Sequence, residues 1–342
     1  MHRVAASMAL LLTLAAAALS QNQALPALIR EGQHALDEND FARAAHSFEQ
    51  ARQLAPDNLE ANRGLLLSYL QQGRLEEAEE IGQADIARWP NDPDLQHWLG
   101  LVYFKKSQNP AALAAMRRAE NLDSARSDIH FDMALVFLSD SNDTEAALEL
   151  EKAIKLDPKA PLAHVLLGRA YLNTNRTMQA VEQFRTALRL DCDIPLGHYH
   201  LGFAYASLGR NIDAIAEYEV ELQRSSGNPV VLHQLGHRQL EAGDLKSAIE
   251  HLKKATEIDP SQRDAFYDLG KAFLLQGNAE AASAPLRRSI ELKPEDPSAH
   301  YQLARALDKA GKKEESRQEM EIFATLKKAQ PGTGGMASGP IQ

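Results

Sequence analysis

His233 and His237 stand four residues apart, the spacing at which two imidazoles on one helix face can share a metal ion. Neither a cysteine nor an obvious carboxylate completes a ligand set beside them, although Asp268 lies further along the chain. No metal site is therefore expected, and the pair reads as polar surface. His130, His164, His198 and His300 recur at one phase of a 34-residue period, which favours packing over ligation. Cys192 is the single cysteine, so an intrachain disulfide and a thiolate zinc site are both excluded. It reads as a small, partly buried filler, with an intermolecular disulfide as the other reading. No glycine-rich phosphate loop, Gly-x-Ser-x-Gly elbow or His-Glu-x-x-His helix is present. Neither catalytic residues nor a cofactor are expected. Lys and Arg number 37 against 47 Asp and Glu, a net charge of −10, which argues against nucleic acid as the main ligand.

The elements that must hold these residues repeat. Pro161-Leu-Ala-His-Val-Leu-Leu-Gly-Arg-Ala-Tyr171 reads like Pro195-Leu-Gly-His-Tyr-His-Leu-Gly-Phe-Ala-Tyr205, and the offset of 34 runs without insertion or deletion. Nine units result: 25–58, 59–92, 93–126, 127–160, 161–194, 195–228, 229–262, 263–296 and 297–330. Numbering slots within a unit, slots 4, 7, 8 and 11 share one face of a first helix, and slots 20, 24 and 27 share one face of a second. Slot 8 is small (Gly100, Gly202, Gly236, Gly270) and slot 20 is alanine in eight units, so the two helices can approach closely. Glycine near slot 15, as at Gly209 and Gly243, ends the first helix, and proline at slot 32, as at Pro158 and Pro260, ends the second. One such hairpin cannot bury its apolar face, so the units must stack.

These residues resemble the tetratricopeptide repeat. Unit 161–194 carries Leu167-Gly168, Tyr171, Ala180, Phe184 and Ala187 in that family's pattern and departs from it with Cys192 at the proline slot. The resemblance covers 306 of 342 residues. It implies an all-α, right-handed superhelical solenoid of nine helix-turn-helix repeats, with the first helices lining a concave groove. Departures set further expectations. Leu66 at slot 8 and Gly82 at slot 24 exchange large for small, so packing in 59–92 should be looser or altered. Units 93–126 and 127–160 lack the turn glycine, using Ser107-Gln108-Asn109-Pro110 and Ser139-Asp140-Ser141-Asn142, and their turns are expected to bend the stack differently. The Lys/Asn/Arg clamp by which some members grip a peptide carboxyl terminus is missing, which disfavours chaperone tails.

On the first helices, slots 2, 5, 9 and 12 lie opposite the packing face. The resemblance makes them the groove, and its expected ligand residues are His97, Leu101, Phe104, Phe131, Leu135, Arg169, Tyr199, Phe203, His233, His237, Tyr267, Lys271, Tyr301 and Arg305. Slot 2 is acidic early, at Glu60, Asp94 and Asp128, and slot 9 is basic late, at Arg169, Lys271 and Arg305. The expected partner is a protein segment with apolar anchors and an acidic stretch. A carbohydrate or envelope-polymer ligand, or a place as the non-catalytic subunit of an envelope enzyme complex, are the alternatives. The last unit has no helix to cover it, which leaves fraying or an oligomer contact open.

Residues 1–20 stand apart. A basic start (His2, Arg3), an apolar run from Val4 to Leu19 and the small residues Ala18 and Ser20 have the layout of a secretory signal peptide, and the run is short for a membrane span. The mature chain is expected to begin near Gln21, exported to the periplasm or beyond, with an uncleaved anchor as the alternative. Residues 331–342, opening with Pro331-Gly-Thr-Gly-Gly335, read as a disordered tail.

Overall fold

The computed structural model describes residues 24–329. The signal-like segment 1–20 and the tail 331–342 lie outside the described residues. Within them the chain is all helical: eighteen helices pair into helix-turn-helix repeats, with no strand. The first helices are α1 (24–37), α3 (Leu59–Gln72), α5 (Pro93–Lys105), α7 (Ser127–Ser139), α9 (Pro161–Asn173), α11 (Gly197–Ser207), α13 (Pro229–Ala242), α15 (Arg263–Gln276) and α17 (Pro297–Lys309). The second helices are α2 (Phe41–Leu54), α4 (Leu75–Arg88), α6 (Asn109–Leu122), α8 (Asp143–Leu156), α10 (Thr177–Leu190), α12 (Asn211–Arg224), α14 (Leu245–Ile258), α16 (Ala279–Leu292) and α18 (Lys313–Ala329). The backbone divides into two compact units, the first ending at Thr174 and the second beginning at Asn175. No helix among the described residues is long and apolar enough to cross a membrane.

The small residue at slot 8 is required by what faces it. A Cβ added at Gly100 would stand 2.7 Å from Met116 and 3.2 Å from the Ala112 carbonyl; at Gly202, 2.8 Å from the Tyr218 ring and 3.2 Å from the Ala214 carbonyl. Glycine thus lets the backbone of one helix meet slots 20 and 24 of the next. Slot 24 supplies the large buried groups Phe48, Met116, Leu150, Phe184, Tyr218, Leu252 and Leu286.

The structure refines three expectations. Packing in 59–92 is altered, the second of the two outcomes expected there: Leu66 is fully buried, and its Cδ1 would stand 3.4 Å from a Cβ at Gly82. The leucine fills the space the glycine vacates, and α3 and α4 share a smaller contact than the helix pairs α5–α6, α7–α8, α11–α12, α13–α14, α15–α16 and α17–α18. The turns lacking glycine keep the same local backbone as those that have it. Ser107 (φ 59°) and Ser141 (φ 57°) adopt the left-handed conformation of Gly209 (φ 73°) and Gly243 (φ 84°). The amide of the next residue then donates to the slot-11 carbonyl at 2.9 Å in each case: Gln108 to Tyr103, Asn142 to Phe137, Arg210 to Tyr205, Asp244 to Gln239. That is a helix C-cap closed by a 6→1 bond, formed here at a steric cost for serine. Proline at slot 32 is not the general stop either. α6, α10 and α12 end in register with the rest although Ser124, Cys192 and Ser226 stand there. Asp123, Asp157, Asp191 and Asp259 fold their carboxylates onto the amide two residues ahead, at 2.9–3.2 Å, and turn the chain after α6, α8, α10 and α14, with or without a proline beside them.

α11 departs from its siblings. The slot before it, filled by capping Asn58, Asp92, Asn228 or Asp296 elsewhere, holds Ile194, which is buried. Leu196 takes φ 59° and the helix starts at Gly197. Glu221, in a slot that is mostly alanine, is buried and accepts from the Tyr199 amide at 3.2 Å, capping the displaced start from a neighbouring helix. Cys192 lies in the turn before α11 and is exposed, not a partly buried filler.

Candidate partner-binding surface

The first helices of each unit present slots 2, 5, 9 and 12 side by side, and the two units are taken in turn. In the first unit, an open pocket of about 650 Å³ is lined by Gln33 and Leu36 of α1, Glu60, Arg63 and Leu67 of α3, and Asp94 and Trp98 of α5. An apolar pocket of about 270 Å³ is walled by Phe131 and Asp128 of α7 and by Pro161 and Leu162 of α9. Leu101, Phe104, Phe131 and Leu135 are half-buried, and Arg169 is exposed; of these only Phe131 lines either pocket. Leu36 and Leu67 stand at slots 12 and 9, rows already expected to face outward, whereas Trp98 is not among the residues expected to meet a ligand. Trp98 occupies slot 6, between the two faces, and only the packed helices decide that it lines the opening.

The acidic row expected here is corrected. Arg126 reaches Asp94 at 2.5 Å and Asp128 at 2.6 Å, and Arg63 contacts Asp92 closely and Asp94 at 3.2 Å. Asp128 is held below its ordinary range: burial would raise it, and the hydrogen bond and charge of Arg126 prevail. Two of the three acids are thus already neutralised. His97 is corrected as well. It is 3% exposed, with Nε2 2.7 Å from Asp132 Oδ2, so it ties α5 to α7 and presents no free surface.

In the second unit, Tyr199 and Phe203 project from α11 with ring centroids 6.5 Å apart, and Phe203 is 40% exposed. Tyr199 is half-buried, its ring 6.0 Å from that of Tyr218. Tyr267 and Lys271 of α15 are half-buried, while Tyr301 and Arg305 of α17 are exposed. Phe323 of α18 covers one side of Tyr301 at 5.3 Å. Arg263 stands over the Tyr267 ring and Arg305 over Tyr301, at 5.2 and 5.8 Å. Arg169, Lys271 and Arg305 form no ion pair among the described residues, so their charge is open to a partner. The last helix has only Ser316 buried and leaves Met320 and Ile322 exposed.

The histidine pair reads differently once folded. His233 is buried, not on an exposed face, and Asp268 supplies the carboxylate that the local sequence lacks. Asp268 Oδ2 lies 3.0 Å from His233 Nε2 and 2.7 Å from His237 Nδ1. Burial would raise this carboxyl, yet the hydrogen bonds from the two rings outweigh it and hold it at about 2. Three of the four slot-4 histidines are polar links between the helices of a repeat. His130 meets Glu149 at 2.7 Å, and His198 meets Glu217 and His300 meets Glu319 at 2.6 Å, each from slot 4 to slot 23 of one repeat.

The sequence profile of the tetratricopeptide repeat matches residues 29–93, 99–161 and 165–229, more than half of the chain, and a second TPR-repeat profile matches 236–277. No curated protein matches significantly. Among solved structures, PilW, a widely conserved type IV pilus biogenesis factor, is similar with 19% identity and a TM-score of 0.53, over 60% of this chain and 95% of that one. The pilF protein of Pseudomonas aeruginosa follows with 17% identity and a TM-score of 0.52, over 60% and 94%. The APC/C hetero-tetramer Cut9–Hcn1 gives 18% identity and 0.52, over 78% of this chain and 52% of that one. At these identities the likeness is one of fold. Proteins built of these repeats are in general non-catalytic scaffolds, typically for protein–protein interaction. With the profile running through most of the helical pairs, this chain belongs to the tetratricopeptide-repeat family.

Proposed function

We propose that the chain is a non-catalytic scaffold that holds a segment of a partner protein against its first helices, outside the cytoplasm. The observation that carries this is the pairing of exposed aromatic and apolar side chains with unneutralised cations on the same slots. Phe203 and Tyr301 stand with Lys271 and Arg305 in the second unit, and Trp98 and Phe131 line pockets in the first. Aromatic anchors supply most of the affinity of such surfaces, and rim charges set approach and orientation. Free cations favour a segment with an acidic stretch. The layout of residues 1–20 supports export, and Gln21 as the amino terminus in mass spectrometry of the native protein would test it.

The binding test is a pull-down from the native envelope with the mature chain and two variants. Phe203→Ala should weaken capture at any salt, and Lys271→Glu with Arg305→Glu should weaken it and flatten its salt dependence. A partner retained equally by all three overturns the assignment of this face. Retention of glycans in place of protein on a mixed array overturns the assignment of ligand class.

A further inference from the structure

The second unit contains a convergence of donors that packing alone does not call for. His97 and Asp132 occupy slots 5 and 6 of successive first helices, and their 2.7 Å contact joins α5 to α7. Slot 9 beside them is Leu101. His233 and Asp268 repeat that pair between α13 and α15, but slot 9 is now His237, whose Nδ1 reaches the same carboxylate oxygen. One imidazole suffices to link the helices in the first unit, so the second is surplus to that task.

We propose that His233, His237 and Asp268 form a site for one divalent transition-metal ion of the zinc class, with water completing the shell. The three donor atoms lie within 4.8 Å of one another. In a tetrahedral site, metal–ligand bonds of about 2.0–2.2 Å put donor atoms roughly 3.3 Å apart. The present 2.7 and 3.0 Å contacts open by roughly 0.3–0.6 Å to reach that spacing, and the two imidazole nitrogens, within 4.8 Å of each other, settle to it by rotation of the half-buried His237 ring. Two imidazoles and one carboxylate suit zinc, cobalt or nickel, whereas the absence of a thiolate disfavours softer ions. The coordinating nitrogens give up the protons that now face Asp268, and each ring takes its proton on the opposite nitrogen. For His237 that nitrogen, Nε2, faces Glu241 Oε1 at 3.5 Å, a carboxylate placed to orient a liganding ring. His233 and Asp268 are buried and His237 is half-buried, so the ion enters past His237.

The test uses the chelator-stripped full mature chain, titrated with ZnCl2 by calorimetry and with CoCl2 by visible absorption. One ion per chain is expected, with a tetrahedral cobalt spectrum. His237→Ala, at a half-buried position that leaves the His233–Asp268 link in place, should lower affinity about tenfold or more and abolish the spectrum. Asp268→Asn should do the same if circular dichroism shows it folded. If it is not folded, the His237→Ala comparison decides alone. Equal uptake by wild type and His237→Ala, or no uptake by wild type at micromolar ion, overturns the site.

Discussion

At the residue scale, the least comfortable group is Asp85. It occupies slot 27, alanine in most repeats, and is 3% exposed with Oδ2 unpartnered among the described residues. Burial pushes its carboxyl up to about 6, against the pull of Arg52 and Arg88. The folded state therefore prefers the neutral acid. Stability from this group is fully present below pH ~4, the unfolded value, and is lost as pH rises toward about 6, a change of about 2–3 kcal/mol. Asp85→Ala should flatten that part of the profile and raise stability at neutral pH, as measured by urea melts at several pH values. An unchanged profile would remove the assignment. Tyr218 poses a similar question without titrating near neutrality. Its ring is fully buried at slot 24 and its hydroxyl has no partner among the described residues. Tyr218→Phe should be neutral or stabilising by about 1 kcal/mol, because it deletes an unmet polar group and keeps the packing. A loss of stability would reveal a hydrogen bond to the hydroxyl.

At the scale of elements, turns and caps tolerate sequence variation because backbone geometry is enforced by packing on both sides. Nine turn residues at slot 15 share positive φ, yet Asn39, Ser107, Ser141 and Asn175 are not glycine. Serine in that conformation costs on the order of 1 kcal/mol. Ser107→Gly and Ser141→Gly should each raise the unfolding midpoint, by roughly 0.5–1 kcal/mol in stability after the entropy of glycine is offset. Both side chains are exposed, so nothing else is removed. A drop in stability for both would mean that the serine hydroxyls hold the turn. Helix starts follow the same logic. Periodicity places α11 at the proline-led frame of its siblings, whereas the buried Ile194 and the cap from Glu221 start it at Gly197.

At the scale of the whole molecule, each unit is a run of helices whose stability passes between neighbours. Gly202 is a sensitive point, since its helix faces the Ala214 backbone and the Tyr218 ring. Gly202→Leu should overpack by roughly 1–3 kcal/mol. Hydrogen exchange should then speed up in α11 and α12 and also in α13 and α14, which pack in sequence against them. Faster exchange confined to α11 would argue against coupling between repeats.

The sequence by itself determined the helices, their pairing, the close contact at slots 8 and 20 and the rows that face outward. Each follows from a period of 3.6 residues nested in one of 34, and both can be counted along the chain. It also named the aromatic and basic residues on the outward rows, of which Phe203, Tyr301, Arg169 and Arg305 are exposed. The tertiary structure alone decided depth and partnership. His97 and His233 share a slot with Phe131 and Tyr301, yet the first two are sealed by Asp132 and Asp268 from the next helix. Two acids of the early row, Asp94 and Asp128, are neutralised by Arg126 and Arg63, which stand in other slots. Periodicity fixes the angle at which a side chain leaves its helix. How far it is covered, and which charge it meets, depend on side chains about 30 residues away whose reach no local spacing encodes.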